Sequence, residues 1–147
     1  MKGVLKVVGV LAIGAIGFAA TSRWLTTDRA DFPSDPGSPD NPLPACPNAP
    51  NCVRVTWLYP QDPTTVRTAA ISALQDTGAA SYAGADNRLE AVYNAFVFQD
   101  DVTVVIEPHD GGSALHLRSS SRVGHSDLGV NGQRVEALRE ALDERLR

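Results

Sequence analysis

The polar residues between Arg118 and Arg134 are the part of this sequence best suited to chemistry. The segment reads RSSSRVGHSDLGVNGQR, with three consecutive serines between two arginines. It is predicted to lead from a strand into the last helix, whose first amide groups lack intrahelical partners. Hydroxyl donors, guanidinium groups and a helix N-terminus together suit a small anion or a carboxylate. The candidate ligand-binding residues are Arg118, Ser119, Ser121, Arg122, Asp127, Asn131 and Arg134.

The same segment also has a structural interpretation, in which its polar groups satisfy one another at a corner of the fold. The arginines would pair with carboxylates, the serines would bond the backbone at a strand end, and Gly124 and Gly129 would take positive φ angles. We prefer this interpretation and keep the anion site as the alternative. The acidic partners expected for Arg118 or Arg122 are Asp100, Asp101 and Asp127.

A serine hydrolase would need a nucleophile, a base and an orienting acid, for which the serine run, His125 and Asp127 have suitable side chains. His125 and Asp127 are two residues apart, so their side chains need not meet, and no G-x-S-x-G motif is present. Asp100 and Asp101 could act as a general acid and base, but neighbours on a strand point to opposite faces. We expect these two to form a bulge or a turn, and we assign no catalytic residue.

Cys46 and Cys52 are the only cysteines, and they close the short segment CPNAPNC. In an oxidising compartment such a pair reads as a small-loop disulfide. A metal site would need ligands from His109, His116 or His125, which follow no ligand spacing, and a redox pair is more usually C-x-x-C. We prefer the disulfide, with metal binding and free or redox-active thiols as alternatives, and predict no metal and no cofactor.

The N-terminal segment, residues 1–25, predicts export. It contains an uncharged run from Val7 to Ser22 with two lysines before it, as in a secretory signal or a short membrane anchor. We expect a retained anchor with the rest of the chain on the periplasmic or extracytoplasmic side. Cleavage near Ala19, followed by secretion, is the alternative. Residues 26–45 form a proline-rich linker, expected to be a semi-extended tether that holds the domain off the membrane.

The charge of the chain argues against nucleic acid as a partner. Without the three cations in or beside the apolar run, ten basic residues face 17 acidic ones, a net charge of −7. Such a body repels phosphate backbones and anionic lipid, because these are bound by clusters of Lys and Arg. The expected partners are the membrane, through the N-terminal helix, and an envelope protein.

Residues 46–147 are predicted to form one α+β domain. Apolar–polar alternation predicts five strands, and spacings of three and four residues predict two helices. Asp62 is expected to cap the first helix and Asn131 the last, with Trp57 in the core and His116 exposed. The order β-α-β-β-β-β-α, with short connections, implies an antiparallel sheet with both helices packed on one face.

Three motifs resemble the bacterial and plastid family called domain of unknown function 1499 (DUF1499). They are CPNAPNCV, FVFQDDVTVVIEP and LHLRSSSRVGHSDLGVNGQRVEALR, in this order, and the resemblance covers residues 45–145. It implies a small exported or membrane-tethered domain, and it implies no activity. The residues that match the family pattern are Asn51, Cys52, Asp100, Asp101, Arg118, Ser119, Ser121, Arg122, Gly124, Asp127, Gly129, Asn131 and Arg134.

Two positions depart from the family pattern. Arg54 and Val55 follow NCV where the family has two serines, so no role of those hydroxyls is carried over. His125 stands where the family usually has tyrosine, which weakens its case as a base. The combined interpretation is a membrane-anchored extracytoplasmic domain that serves as a binding or assembly module of the cell envelope. The alternative is a receptor for a small anion or carboxylate, or a hydrolase, that uses the loop 118–134.

Overall fold

The computed structural model describes residues 32–147, so the predicted leader and the first part of the predicted linker lie outside the described residues. Five strands and two helices follow one another in the predicted order. They are β1 (Cys52–Tyr59), α1 (Pro63–Asp76), β2 (Ser81–Ala85), β3 (Arg88–Ala95), β4 (Phe98–His109), β5 (Gly112–Ser121) and α2 (Val130–Arg145).

The strands form one antiparallel sheet with the order β1-β5-β4-β3-β2. Tight turns join β2, β3, β4 and β5 as successive hairpins, and each turn contains a residue with positive φ: Asp86, Phe96 and Asp110. β1 enters the sheet beside β5, with Cys52 opposite Ser120. The predicted α+β class, with an antiparallel sheet, is confirmed.

Both helices pack on one face of the sheet, which we call the helix face; the other is the open face. Asp62 caps α1 as predicted, since its Oδ1 accepts hydrogen bonds from the amides of Thr64 and Thr65 at 2.9 and 3.1 Å. Side chains alternate across each strand, so every second residue enters the core between sheet and helices. Core residues include Val55, Trp57, Leu74, Leu89, Val104, Leu117, Leu138 and Leu142.

The start of α2 differs from the prediction, because Asn131 is not the cap. The N-cap is Gly129, with a φ of 83°, and Asn131 lies in the first turn of the helix. Asp127 supplies the capping oxygens: its Oδ1 accepts from the Gly129 amide at 2.9 Å and its Oδ2 from the Asn131 amide at 2.8 Å. The helix dipole favours a carboxylate at this end.

The bulge or turn expected at Asp100 and Asp101 is wrong, because both residues lie inside β4 and pair with β5. The turn before β4 contains Phe96 and Val97 instead. The exposed position expected for His116 is also wrong, since this residue is 0% exposed. It lies inside the sheet between Thr56 on β1 and Val105 on β4.

The segment 32–50 lies against the domain and completes the edge of the sheet, so residues 32–45 are not the semi-extended tether that the sequence predicted. The Asp35 amide donates to the Thr56 carbonyl oxygen at 2.9 Å, and Oδ2 of Asp35 accepts from the Leu58 amide at 2.8 Å. These bonds satisfy backbone groups of β1 that an edge strand would otherwise expose. Leu43, further along the segment, is buried.

A disulfide joins Cys46 to Cys52, as predicted, with the two Cα atoms 5.6 Å apart. It ties the end of the proline-rich segment to the first residue of β1. Between residues 32 and 147, no helix has the length and apolar character needed to span a membrane.

Candidate functional site

The sheet divides the candidate residues between its two faces. Along β5, Ser119 and Ser121 point to the helix face and Arg118 to the open face, because side chains alternate along a strand. Asp100 and Asp101 on β4 are divided in the same way. The helix-face group consists of Asp100, Ser119, Ser121, Asp127, Asn131 and Arg134. The open-face group consists of Asp101, Arg118 and Arg122.

A buried ion pair between Arg134 and Asp100 forms the centre of the helix-face group. Nη2 of Arg134 donates to Oδ2 of Asp100 at 2.7 Å, and the two side chains are 6% and 1% exposed. The guanidinium carbon also lies 4.6 Å from the centroid of the Tyr93 ring, and burial raises the pKa of Tyr93. Because both charges are withdrawn from water, removing either would leave the other uncompensated.

Asn131 connects this ion pair to the loop before α2. Its Oδ1 accepts from Nη1 of Arg134 at 2.8 Å and from Oγ of Ser119 at 2.5 Å. Its Nδ2 donates to Oγ of Ser121 at 2.9 Å and to Oδ2 of Asp127 at 2.6 Å. Both ends of the buried amide are therefore used within the protein.

Asn51, one of the residues that match the family pattern, completes the corner. Its Nδ2 donates to the Gly124 carbonyl oxygen at 2.6 Å, and its own carbonyl oxygen accepts from the Ser121 amide at 3.0 Å. These bonds hold the loop before α2 against the start of β1. The signal for Asn51 in the sequence was its match to the family pattern, immediately before Cys52.

The helix-face group is arranged to support the fold rather than to hold an anion. The carboxylate of Asp127 already occupies the N-terminus of α2 and accepts from two of its amides. An incoming anion would compete with that carboxylate and be repelled by it. This arrangement agrees with the structural interpretation of the loop.

On the open face, Arg122 is paired with Asp101, one of its expected partners. Nη2 of Arg122 lies 2.7 Å from Oδ1 of Asp101, and Nε lies 3.0 Å from both carboxylate oxygens. Nη1 donates to Oε1 of Gln99 at 2.5 Å. The hydrogen bonds to Asp101 raise the pKa of Arg122. This pair is 43% and 48% exposed, so we expect it to contribute little to stability.

A cleft of 560 Å³ lies on the open face, between Pro44 of the proline-rich segment and strands β2 to β5. It is large enough for a small ligand. Its lining includes Pro44, Glu90, Val92, Thr103, Arg118 and Arg122.

Arg118 is the cation without a counter-charge in this cleft. Its Nε is buried and has no hydrogen-bond partner, and no ion pair to it forms within residues 32–147. The residue directly opposite on β1 is Arg54, a second cation. Arg54 donates through Nη2 to the carbonyl oxygen of Asn41, so it supplies no negative charge.

The other charges that line the cleft neutralise one another in pairs. Nη2 of Arg88 lies 2.9 Å from Oε1 of Glu90, and Arg122 is paired with Asp101 as described. Thr103, which lies opposite Arg118 on β4, is uncharged. Arg118 therefore gives the cleft a net positive charge, although the chain as a whole is acidic.

His116 is buried on the open face of β5, two residues before Arg118. Its Nδ1 lies 2.9 Å from Oγ1 of Thr56, and its Nε2 lies 3.7 Å from Oε2 of Glu107, beyond hydrogen-bonding distance. Burial lowers the pKa of His116 from its ordinary value of 6.5, and Glu107 opposes this shift only in part. The ring is therefore neutral at pH 7.

The groups considered for a serine hydrolase do not come together. His125 is exposed, whereas Ser119 is buried and donates to Asn131. Within residues 32–147, no hydrogen bond joins His125 to a serine or to Asp127. The same described part of the chain contains no group of three or more His, Cys, Asp or Glu residues that could hold a metal ion.

Comparison with known proteins places the chain in a family. The family model described as "Protein of unknown function (DUF1499)" matches residues 42–142, more than half of the chain. No curated protein matches this chain.

Solved structures that are similar to this chain include three proteins. TTHA0849 from Thermus thermophilus is 18% identical, with a TM-score of 0.40 over 65% of this chain and 96% of that chain. CV1439 from Chromobacterium violaceum is 9% identical, with a TM-score of 0.42 over 66% and 96%. The KanY protein (ms6282), solved by NMR, is 14% identical, with a TM-score of 0.40 over 65% and 96%.

Proposed function

We propose that this protein has a binding function rather than a catalytic one. The chain belongs to the DUF1499 family of proteins of unknown function. The protein is a membrane-anchored, extracytoplasmic binding module of the cell envelope. Its open-face cleft binds a carboxylate group of the ligand, and Arg118 is the residue that pairs with it. The helix-face group holds this binding surface in place and does not contact the ligand.

The observation that carries the proposal is the unpaired guanidinium of Arg118. A partly buried cation with a buried, unsatisfied Nε is costly in the free protein. Arg54, which faces it across the strand pair, adds like-charge repulsion. A bound carboxylate removes both costs, because it supplies hydrogen-bond acceptors and a negative charge.

The chemistry of the cleft favours a carboxylate with a small apolar body. A guanidinium presents a planar fork of N–H donors that matches the two oxygens of a carboxylate. Val92 and Pro44 add apolar surface beside it, and Thr103 adds a hydroxyl. Such a carboxylate occurs in a small organic acid and at the C-terminus or acidic side chain of an envelope protein.

The anchored, extracytoplasmic setting is supported by the sequence and by the disulfide. The lysine-flanked apolar run of residues 1–25 predicts insertion with the N-terminus inside the cell. The disulfide between Cys46 and Cys52 suits an oxidising compartment. A ligand exchanged at the cell envelope would reach the cleft on this side of the membrane.

Ligand binding by the full-length protein in detergent tests the proposal. Acetate, benzoate, succinate, phosphate and glucose are added separately, and the melting temperature is measured for wild type, Arg118→Ala and Arg147→Ala. Arg147→Ala is the matched control, since it removes an exposed cation outside the cleft. We expect a carboxylate to raise the melting temperature of wild type and the control, with about 10- to 100-fold weaker binding to Arg118→Ala.

Two outcomes would contradict the proposal: no carboxylate raises the melting temperature of wild type, or Arg118→Ala responds as wild type does. A pull-down from solubilised membranes with wild type and Arg118→Ala distinguishes the two sources of the carboxylate. A protein partner predicts a band that wild type retains and Arg118→Ala loses. A small-molecule ligand predicts that added carboxylate raises the melting temperature and that no such band appears.

A further inference from the structure

Five large apolar side chains are exposed at one end of the molecule, and we call them the apolar tip. Phe96 is 91% exposed and Val97 is 85% exposed, at the turn between β3 and β4. The others come from the first residue of β4 and from the loop before α2: Phe98, Val123 and Leu128, which are 55%, 50% and 75% exposed. Exposed apolar residues that cluster in this way mark an interaction surface.

Strand pairing places these residues at the same end of the sheet. Ala95 is opposite Phe98, and the amide of Arg122 donates to the carbonyl oxygen of Gln99 at 3.1 Å. Val123 therefore follows directly beside the β3–β4 turn. Leu128 lies just before α2, whose first turn is bonded to Ser121 at the end of β5.

Backbone conformation adds a second observation about the apolar tip. Phe96 and Leu128 both have a φ of 55°, in the left-handed region that bulky side chains rarely adopt. Hairpin turns favour Gly, Asn or Asp where φ is positive, yet this turn has Phe96 at that position. Apolar side chains are thus held in positions that neither turn geometry nor exposure to water favours, which is typical of a functional surface.

The chain enters the described part of the protein near this same end. Phe32 packs against the first turn of α2, since a Cβ placed on Gly132 would lie 3.0 Å from its ring. Only residues 26–31 separate Phe32 from the predicted anchor of residues 1–25. A segment of this length spans at most about 25 Å, which keeps the apolar tip close to the bilayer.

We propose that the apolar tip docks onto the lipid bilayer that holds the N-terminal anchor. This inference rests on the membrane-anchored part of the proposed function. Val97 and the two phenylalanines enter the interface, where apolar and aromatic side chains are favoured. The acidic body makes a zwitterionic surface the better partner. Arg122, next to Val123, also lines the cleft, so docking places the ligand site beside the membrane surface.

A fluorescent label on the full-length protein in phosphatidylcholine vesicles tests the docking. Val97→Cys is labelled with NBD while the native disulfide stays oxidised, and Asp110→Cys, at a turn on the other end of the sheet, is the matched control. We expect the label at position 97 to shift to the blue and to be quenched by lipids with doxyl groups. The label at position 110 should keep the emission of a water-exposed label and should not be quenched by these lipids. Equal, aqueous signals at both positions would overturn the docking.

A second variant guards against an effect of the label itself. Phe96→Asn with Val97→Gly puts a residue that tolerates positive φ at position 96 and removes both apolar side chains. A label at Val123→Cys should be quenched by doxyl lipid with the native turn and at least fivefold less with the Asn-Gly turn. Equal quenching in the two proteins would contradict a role for Phe96 and Val97.

Flotation of the same vesicles after carbonate washing separates failure of the docking from failure of the anchor. Protein that floats with an aqueous label at position 97 refutes the docking and leaves the anchor supported. Protein that is washed off but shows an inserted label before washing supports the docking and refutes the anchor. Protein that neither floats nor shows insertion refutes both. Added phosphatidylglycerol should weaken the insertion of the label, because the body is acidic.

Discussion

Replacing Arg134 with methionine removes the buried cation of the helix-face group while keeping much of the side-chain volume. The carboxylate of Asp100, which is 1% exposed, then has no counter-charge. Breaking a buried ion pair in this way costs about 3–5 kcal/mol of the free energy of unfolding. For a domain of this size, the melting temperature should fall by roughly 12–30 °C. Total stability is typically about 5–15 kcal/mol, so this one change removes a large share of it.

Urea unfolding of the full-length protein in non-ionic detergent, followed by near-ultraviolet circular dichroism, measures the effect. Arg122→Ala is the matched control, because its ion pair with Asp101 is largely exposed and should contribute about 1 kcal/mol or less. Adding Asp100→Leu to Arg134→Met removes the stranded charge and should recover part of the loss. A loss below about 1 kcal/mol for Arg134→Met, or equal losses at Arg134 and Arg122, would refute a structural role for the helix-face group.

Three further predictions concern other parts of the domain. His116 is buried and its pKa is lowered, so the folded state binds fewer protons than the unfolded state below pH 6.5; stability should fall as the pH drops from 6.5 towards the lowered value. In urea titrations, the free energy of unfolding should fall less between pH 7 and pH 5 for His116→Asn than for wild type. An equal fall in the two proteins would contradict this assignment. Replacing Cys46 and Cys52 with alanine should lower the free energy of unfolding by about 2.4 kcal/mol, through loop entropy, in the same urea experiment. Reduction of the wild-type disulfide should give a similar loss. An unchanged free energy of unfolding in both experiments would contradict a stabilising role for the disulfide. Arg118→Gln should leave the unliganded protein within about 0.5 kcal/mol of wild type or make it more stable, since it ends the repulsion by Arg54; a loss above about 1 kcal/mol would show that Arg118 is structural.

Local patterns in the sequence predicted most of the fold. The cap at Asp62 and the apolar alternation of β1, β3 and β5 each depend on neighbours within a few residues, so the sequence alone was enough to place them. The prediction of a bulge or turn at Asp100 and Asp101 was wrong because two adjacent acidic residues are typical of an interruption in a strand. The sheet accommodates them by giving each a different face and a different arginine.

Long-range placement was harder to predict. The alternation rule already implied that Arg118 and Ser119 face opposite sides of the sheet, so the candidate group could have been divided from the sequence. The sequence could not predict that β1 lies beside β5, with Arg54 opposite Arg118, because no local signal specifies which strands become neighbours. The burial of His116 has the same origin, since it depends on Thr56 from β1.

Nitrogen-15 spectroscopy of the arginine side chains tests the central claim most directly. The Nε–H signal of Arg118 is assigned by its absence in Arg118→Ala, and benzoate is then titrated into the labelled, full-length protein. Our account predicts that the Arg118 signal moves in a saturable way, while the signals of Arg122 and Arg134 stay in place because their carboxylate partners are already bound. Movement of Arg122 or Arg134 without Arg118, or no movement at all, would contradict it.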